Sequence, residues 1–312
     1  MKINLKAIVL SAVLFSGCSS GANSADTVSA SFYPMYLISS FIADGSRIEI
    51  KNVASPQTGC LHDYQLTTGN IRQLAQSGVL IINGGDMEQT FLNGAQYLTN
   101  IKIIDSSSLF EEEEHEHDHE ETEEHEEHEE HESHDHDGHN HEENSHYWMS
   151  LGHAKLQAEA ITDGLEEIYP SEKNIFENNL KDFKSKCDRL KKEYNFHSYP
   201  QMNVISFNEA FEYLAEENNI NIIKTFEVDE NSLPSAKELA EAVDEGREHN
   251  ISAVICADDS GKTYAQTIAD ELHIPVVVLN PITYVDGNTK SYFSAMKNNF
   301  DLLKEVFEND KP

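Results

Sequence analysis

Short apolar runs alternate with amphipathic stretches along most of this chain, and the two periodicities predict its elements. "VSASF", "IEIKNV", "VLIING" and "IKIID", spread between Val28 and Asp105, have the length and β-branched content of strands. Between the second and third, "TTGNIRQLAQSG" opens on threonines, keeps apolar residues at Ile71 and Leu74 and stops on Gly78, which predicts a helix. After Trp148, "HAKLQAEAITDGLEEIY" predicts a helix ending near Pro170. "SEKNIFENNLKDFKSKCDRLKKEYNF" predicts a longer one, with Ile175, Leu180, Phe183, Cys187, Leu190 and Tyr194 at helical spacing. From Met202 the strands "MNVISF", "NIIKTFEV", "ISAVICA" and "IPVVVLNP" are interleaved with helices over "EAFEYLAEENN", "SAKELAEAVDEGREHN", "KTYAQTIADELH" and from Tyr292 onward.

Strands alternating with helices imply mostly parallel sheets covered by helices on both faces. The fold class is therefore α/β, in two lobes joined by a long helix. An N-terminal lobe over 28–110 is completed by 146–171, the linking helix runs over 172–197, and the C-terminal lobe fills 198–312. A length of 312 residues suits two such domains. Ligands of open α/β sheets bind at the carboxyl ends of strands, so facing lobes make a cleft between them.

The pattern breaks at residues 111–145. The core of that segment reads "HEHDHEETEEHEEHEEHESHDHDGHNH", a composition that cannot bury a core and predicts disorder. It changes the charge picture as well. The formal net charge is -34, and 19 acids fall in this segment with no Lys or Arg, leaving -15 for the remainder. Such a balance repels nucleic acid and anionic membrane surfaces and attracts divalent cations. Solubility alone needs acids and not imidazoles, yet ten histidines stand here: His115, His117, His119, His125, His128, His131, His134, His136, His139 and His141. Imidazole suits zinc, copper and nickel, and carboxylates complete a loose shell, so the tract is expected to bind metal weakly and exchangeably.

The start of the chain, "MKINLKAIVLSAVLFSGC", has lysines, an apolar run too short for a stable membrane span, and small residues before Cys18. It reads as a signal peptide over 1–17. Small residues directly before the cysteine resemble the bacterial lipoprotein signal, which makes Cys18 the lipidated first residue of an extracytoplasmic protein, with 18–27 as a flexible tether. The remaining Cys60, Cys187 and Cys256 are an odd number, which argues against a disulfide framework.

Enzyme signatures are weak. "CADDSGKTY" places Gly261, Lys262 and Thr263 after a strand, but a phosphate loop needs a glycine where Cys256 stands. Neither a Gly-x-Ser-x-Gly elbow nor a His-Glu-x-x-His helix occurs, and no enzymatic activity is expected.

Two histidines outside the tract lie at predicted strand ends or re-entry points: His62 in "SPQTGCLHDYQLT" and His146 in "SHYWMSLG". Around them "SFYPMY", "GCLHDYQLT", "INGGDMEQTF", an acid- and histidine-rich insertion ending in "HYW", "FNEAFEYLA", "LPSAKELAEAV" and "VVVLNPI" follow in order. Together they resemble the zinc- and manganese-binding solute-binding proteins of ABC transporters, particularly the ZnuA-like branch, from about Ser31 to the C-terminus.

The resemblance implies two α/β lobes on a rather rigid linking helix, one metal ion held between them, and delivery of that ion to a membrane permease. It implies zinc as cargo, with manganese or another divalent ion as the alternative, and His62 and His146 as the first two ligands. The third ligand position, histidine in the "FHEAF"-like motif of relatives, falls on Asn208. The fourth, an acid, falls on Lys290 in "TKSYFSAM", and Asp286 in the same loop is the acid that could take its place. Glu209 is expected to point away from the ion. Cys60 reads as a packed loop cysteine or a thiolate ligand, and His153 and His197 as surface residues. A monomer anchored by lipid, with a permease as partner, is the expected assembly. The alternative is a surface metal-buffering or adhesive lipoprotein in which only the tract binds.

Overall fold

The computed structural model of the chain describes residues 26–55, 61, 64–95, 98, 100–110, 144–227, 233–257, 259–285 and 291–309. The predicted signal segment, Cys18, Cys60, His62, Asp286, Lys290 and the tract histidines lie outside the described residues.

The N-terminal lobe holds β1 (Asp26–Ala30), β2 (Ile48–Asn52), β3 (Val79–Ile82) and β4 (Lys102–Asp105), all parallel, in the order β2-β1-β3-β4. Register pairs Val28 with Ile50 and Ile81 with Ile104. All four residues of β3 are buried, as a central strand covered on both faces requires. Helix α2 (Thr68–Ser77) forms where its polar starters predict. Thr67 and Asn70 make a reciprocal capping box, and Gly78 ends it at a positive φ of 67°.

Two helices of this lobe carry no amphipathic signal. Helix α1 (Tyr33–Ile42) buries Met35, Ile38, Ser39 and Ile42 at helical spacing, but half-buried Tyr36, Leu37 and Phe41 make the other side of "YPMYLISSFI" apolar too, so the sequence shows little contrast between faces. The short α3 (Gln89–Ala95) follows a turn at Gly84 and Gly85, both at positive φ. A β-carbon at either would run into a neighbour: Asp105 and Ser107 at the first, Tyr147 at the second.

Helix α4 (Leu151–Ile168) closes the lobe against β4 and α1 and leads into α5 (Lys173–Glu193), 21 residues and roughly 30 Å long. Phe176, Phe183, Cys187 and Leu190 are its buried stripe, with Ile175 and Leu180 half-buried beside it. Burial pushes the Cys187 thiol up to about 12, which makes it an inert packing group.

The C-terminal lobe repeats the pattern with β5 (Met202–Phe207), β6 (Ile220–Thr225), β7 (Ala253–Cys256) and β8 (Val276–Val278), again all parallel, in the order β6-β5-β7-β8. Its helices are α6 (Glu212–Glu217), α7 (Ala236–Glu248), α8 (Asp259–Leu272) and α9 (Tyr292–Asn309). Gly261 packs its α-carbon against the side chains of Cys256 and Phe207, so the "CADDSGKTY" segment is an ordinary strand-to-helix joint. One apolar cluster runs from the N-terminal sheet through α5 to α9, and a second fills the face between β5, β7, α7 and α8.

Candidate metal centre

The segment entering α4 sits where the lobes meet. A 3-10 turn over Tyr147–Met149 buries all three residues, and Ser150 then caps α4 through the His153 N–H. Just before the turn, His146 is 1% exposed and its ring lies 5.1 Å from that of Trp148. A buried imidazole needs partners, and Asn144 supplies them. The Oδ1 atom of Asn144 accepts from the His146 backbone N–H at 3.0 Å and stands 2.9 Å from Nδ1.

The amide of Asn144 is oriented by the other lobe. Its Nδ2 donates to the Glu209 carbonyl at 3.0 Å and to the Glu212 carboxylate at 2.7 Å. With both of its protons given to oxygens, the side-chain oxygen faces the ring, so Nδ1 carries a hydrogen, which in the neutral imidazole leaves the lone pair on Nε2. Nε2 is then the atom with ligand character.

Glu209 lies on the Nδ1 side of the ring, opposite Nε2. Its Oε1 stands 3.8 Å from His146 Nδ1, placing a one-third-exposed carboxylate beside the buried ring. Asn208 begins the same turn and uses its Oδ1 to accept the Ala210 N–H at 2.9 Å, while its carbonyl accepts from the Ser206 hydroxyl at 2.7 Å. That capping role explains locally why an asparagine suits position 208.

Two further carboxylates hold the surroundings. Glu217, at the end of α6, accepts the Leu151 and Gly152 N–H groups at 2.6 and 3.0 Å and the Lys191 ammonium at 3.2 Å. It thereby neutralises the N-terminus of α4 from the opposite lobe. Glu88, 1% exposed, accepts from the Ser31 hydroxyl and the Asn83 and Gly84 N–H groups. Asn83 in turn donates to the carbonyl of Ser145, next to His146.

Of the sequence-predicted ligands, His146 and Asn208 are described, and His62 and Asp286 are outside the described residues. Among the described residues, no three His, Cys, Asp or Glu side chains gather into a metal-holding group. His197 is exposed, as expected. His153 is half-buried rather than fully exposed: its ring packs against Phe110 at 5.2 Å, Tyr147 at 6.0 Å and Tyr213 at 4.7 Å. The sequence reading missed Asn144 and Glu212. The available signal was an asparagine two residues before a candidate ligand, a spacing at which its side chain meets the local backbone N–H.

Two parallel-sheet lobes joined by one long helix, with a buried imidazole at their junction, define the class: a helix-linked, two-lobed α/β protein. The family model described as "Zinc-uptake complex component A periplasmic" matches residues 28–306, and the chain belongs to that ZnuA family. It is 25% identical over 328 residues to the zinc-binding lipoprotein AdcA of Streptococcus pneumoniae, and covers all of its own length but 62% of that relative. It is 26% identical over 316 residues to the high-affinity zinc uptake system protein ZnuA of Bacillus subtilis, covering 93% of this chain and 92% of the relative. A crystal structure of ZnuA shares the fold at a TM-score of 0.70 with 21% identity, over 91% of this chain and 99% of that one. Among the described residues, no helix is long and apolar enough to cross a membrane.

Proposed function

We propose that this chain is an extracytoplasmic solute-binding protein, lipid-anchored through Cys18, that captures a divalent metal ion, zinc, and delivers it to the permease of an ABC transporter. The carrying observation is the buried His146 ring, held with Nε2 as its lone-pair nitrogen at the junction of two family-type lobes. A borderline-soft ion prefers nitrogen donors, and a carboxylate at Glu209 adds negative potential nearby. His62 joins His146 from the N-terminal lobe. Asn208, water or Asp286 complete the shell, with the side-chain Oδ1 of Asn208 shared with the cap of its turn. The protein acts as a monomer and performs no catalysis.

The tract over 111–145 raises the local metal concentration and hands ions on by ligand exchange. Isothermal titration of the mature chain, a form lacking 111–143, which keeps Asn144 and Ser145, and the same form carrying His146→Ala tests this. The shortened chain is expected to keep one zinc site and His146→Ala to remove it. Absence of zinc binding in the shortened chain overturns the reading in favour of a surface metal buffer that uses the tract alone.

A further inference from the structure

Four hydrogen bonds converge on one amide at the lobe junction, and they exhaust it. Asn144 has two N–H donors and two acceptor lone pairs. The donors go to the Glu209 carbonyl and the Glu212 carboxylate, and the oxygen takes the backbone and ring N–H groups of His146. The first pair belongs to the C-terminal lobe, at the turn over Glu209–Phe211 and the start of α6. The second belongs to the segment entering α4 of the N-terminal lobe.

The same short helix is gripped at its other end. Glu217 closes α6 and lies on the first two N–H groups of α4, so residues 144–152 meet both ends of α6 with His146 between the two contacts. The Glu212 carboxylate strengthens the Asn144 hydrogen bond, because a charged acceptor roughly doubles a neutral one. Glu209 alone does not orient the ring: at 3.8 Å its oxygen is beyond hydrogen-bonding distance of Nδ1.

We propose that Asn144 is a positioning residue of the metal site: it fixes His146 as the Nδ1–H tautomer and makes that orientation depend on contact between the lobes through Glu212. The inference rests on the proposed metal-binding role of His146 for its functional meaning, but the tautomer can be read without metal. An aspartate at 144 would keep an oxygen for the ring N–H and would face the Glu212 carboxylate with a second one. An amide therefore serves both neighbours where an acid serves one.

The test uses the full mature chain labelled with 15N-histidine, the His146 signals being assigned by their loss in His146→Ala. In metal-free protein, the wild-type ring is expected to show one protonated Nδ1 and one unprotonated Nε2. Asn144→Ala is expected to give exchange-averaged shifts of a tautomer mixture. Glu212→Ala should move the shifts in the same direction, and Glu212→Gln, which keeps an acceptor for the Asn144 N–H, should restore them. Zinc competition against a chelator, followed on the His146 signal, should show a 10–100-fold loss for Asn144→Ala. A wild-type tautomer that persists in both Asn144→Ala and Glu212→Ala overturns the positioning role. Nitrogen shifts that change as expected while the His146 signal never responds to zinc overturn the proposed function and leave the positioning of the ring standing.

Discussion

Trp148 donates its indole N–H to the carbonyl of Pro281 at 2.8 Å, across the junction of the two lobes. Tyr292 returns a hydroxyl to the Trp148 carbonyl, also at 2.8 Å, and the Phe32 ring meets the indole edge-on at 5.1 Å. Trp148 is fully buried, so these contacts fasten a C-terminal-lobe loop and α9 to the segment that carries His146. The lobes share a core and are bolted within it.

Removing the bolt should be costly. Trp148→Phe deletes the donor, leaves the Pro281 carbonyl unpaired in a dry site and opens a cavity, for a combined loss of about 2–5 kcal/mol. Thermal unfolding of the metal-free protein is expected to show a lower midpoint. An unchanged midpoint would mean that the junction contributes little to stability.

Glu217 gives a second, independent test of the junction. Its carboxylate satisfies two orphan N–H groups of α4 from the other lobe and is only 11% exposed, so solvent does little to replace it. Glu217→Ala should cost about 1–3 kcal/mol in urea unfolding, and Glu217→Gln less, because one acceptor oxygen remains. Equal losses for the two variants would show that the oxygens are not what matters.

At position 208 a gain and a loss should appear together. The family resemblance implies a histidine ligand at this position, whereas here Asn208 caps its turn through the Ala210 N–H. Asn208→His should tighten zinc binding at least about tenfold by adding a nitrogen donor, and should lower metal-free stability by about 1 kcal/mol through the lost cap. Calorimetry and unfolding on the same preparation read both, and a variant that binds zinc no better removes residue 208 from the coordination shell.

The fold was legible where burial is one-sided or the run is short and β-branched. All eight strands and the helices α2 and α4 to α9 follow from those patterns. Helix α1 was not, because apolar residues on its half-buried side mask the 3.6-residue spacing of its buried face in "YPMYLISSFI". At the centre, His146 could be singled out from its place after the tract and its family resemblance. Asn144 and Glu212 could not, because their role comes from an inter-lobe contact between residues 68 positions apart, which local pattern does not encode.

Glu88 supplies a pH signature. Burial pushes its carboxyl from an ordinary 4.5 up to about 7, and the hydrogen bonds from Asn83, Ser31 and Gly84, which favour the anion, offset that only in part. The folded state therefore takes up the proton at a higher pH than the unfolded chain does. The associated stability is fully present below about pH 4.5 and is lost as pH rises through about 7, a change on the order of 3 kcal/mol. Glu88→Gln stays neutral throughout and should lack this limb. Urea unfolding of both proteins from about pH 5 to about pH 8 isolates it, since other titrating groups are common to the pair. The wild-type free energy should fall relative to the variant as pH rises, and two parallel profiles would show that Glu88 ionises at an ordinary pH despite its burial.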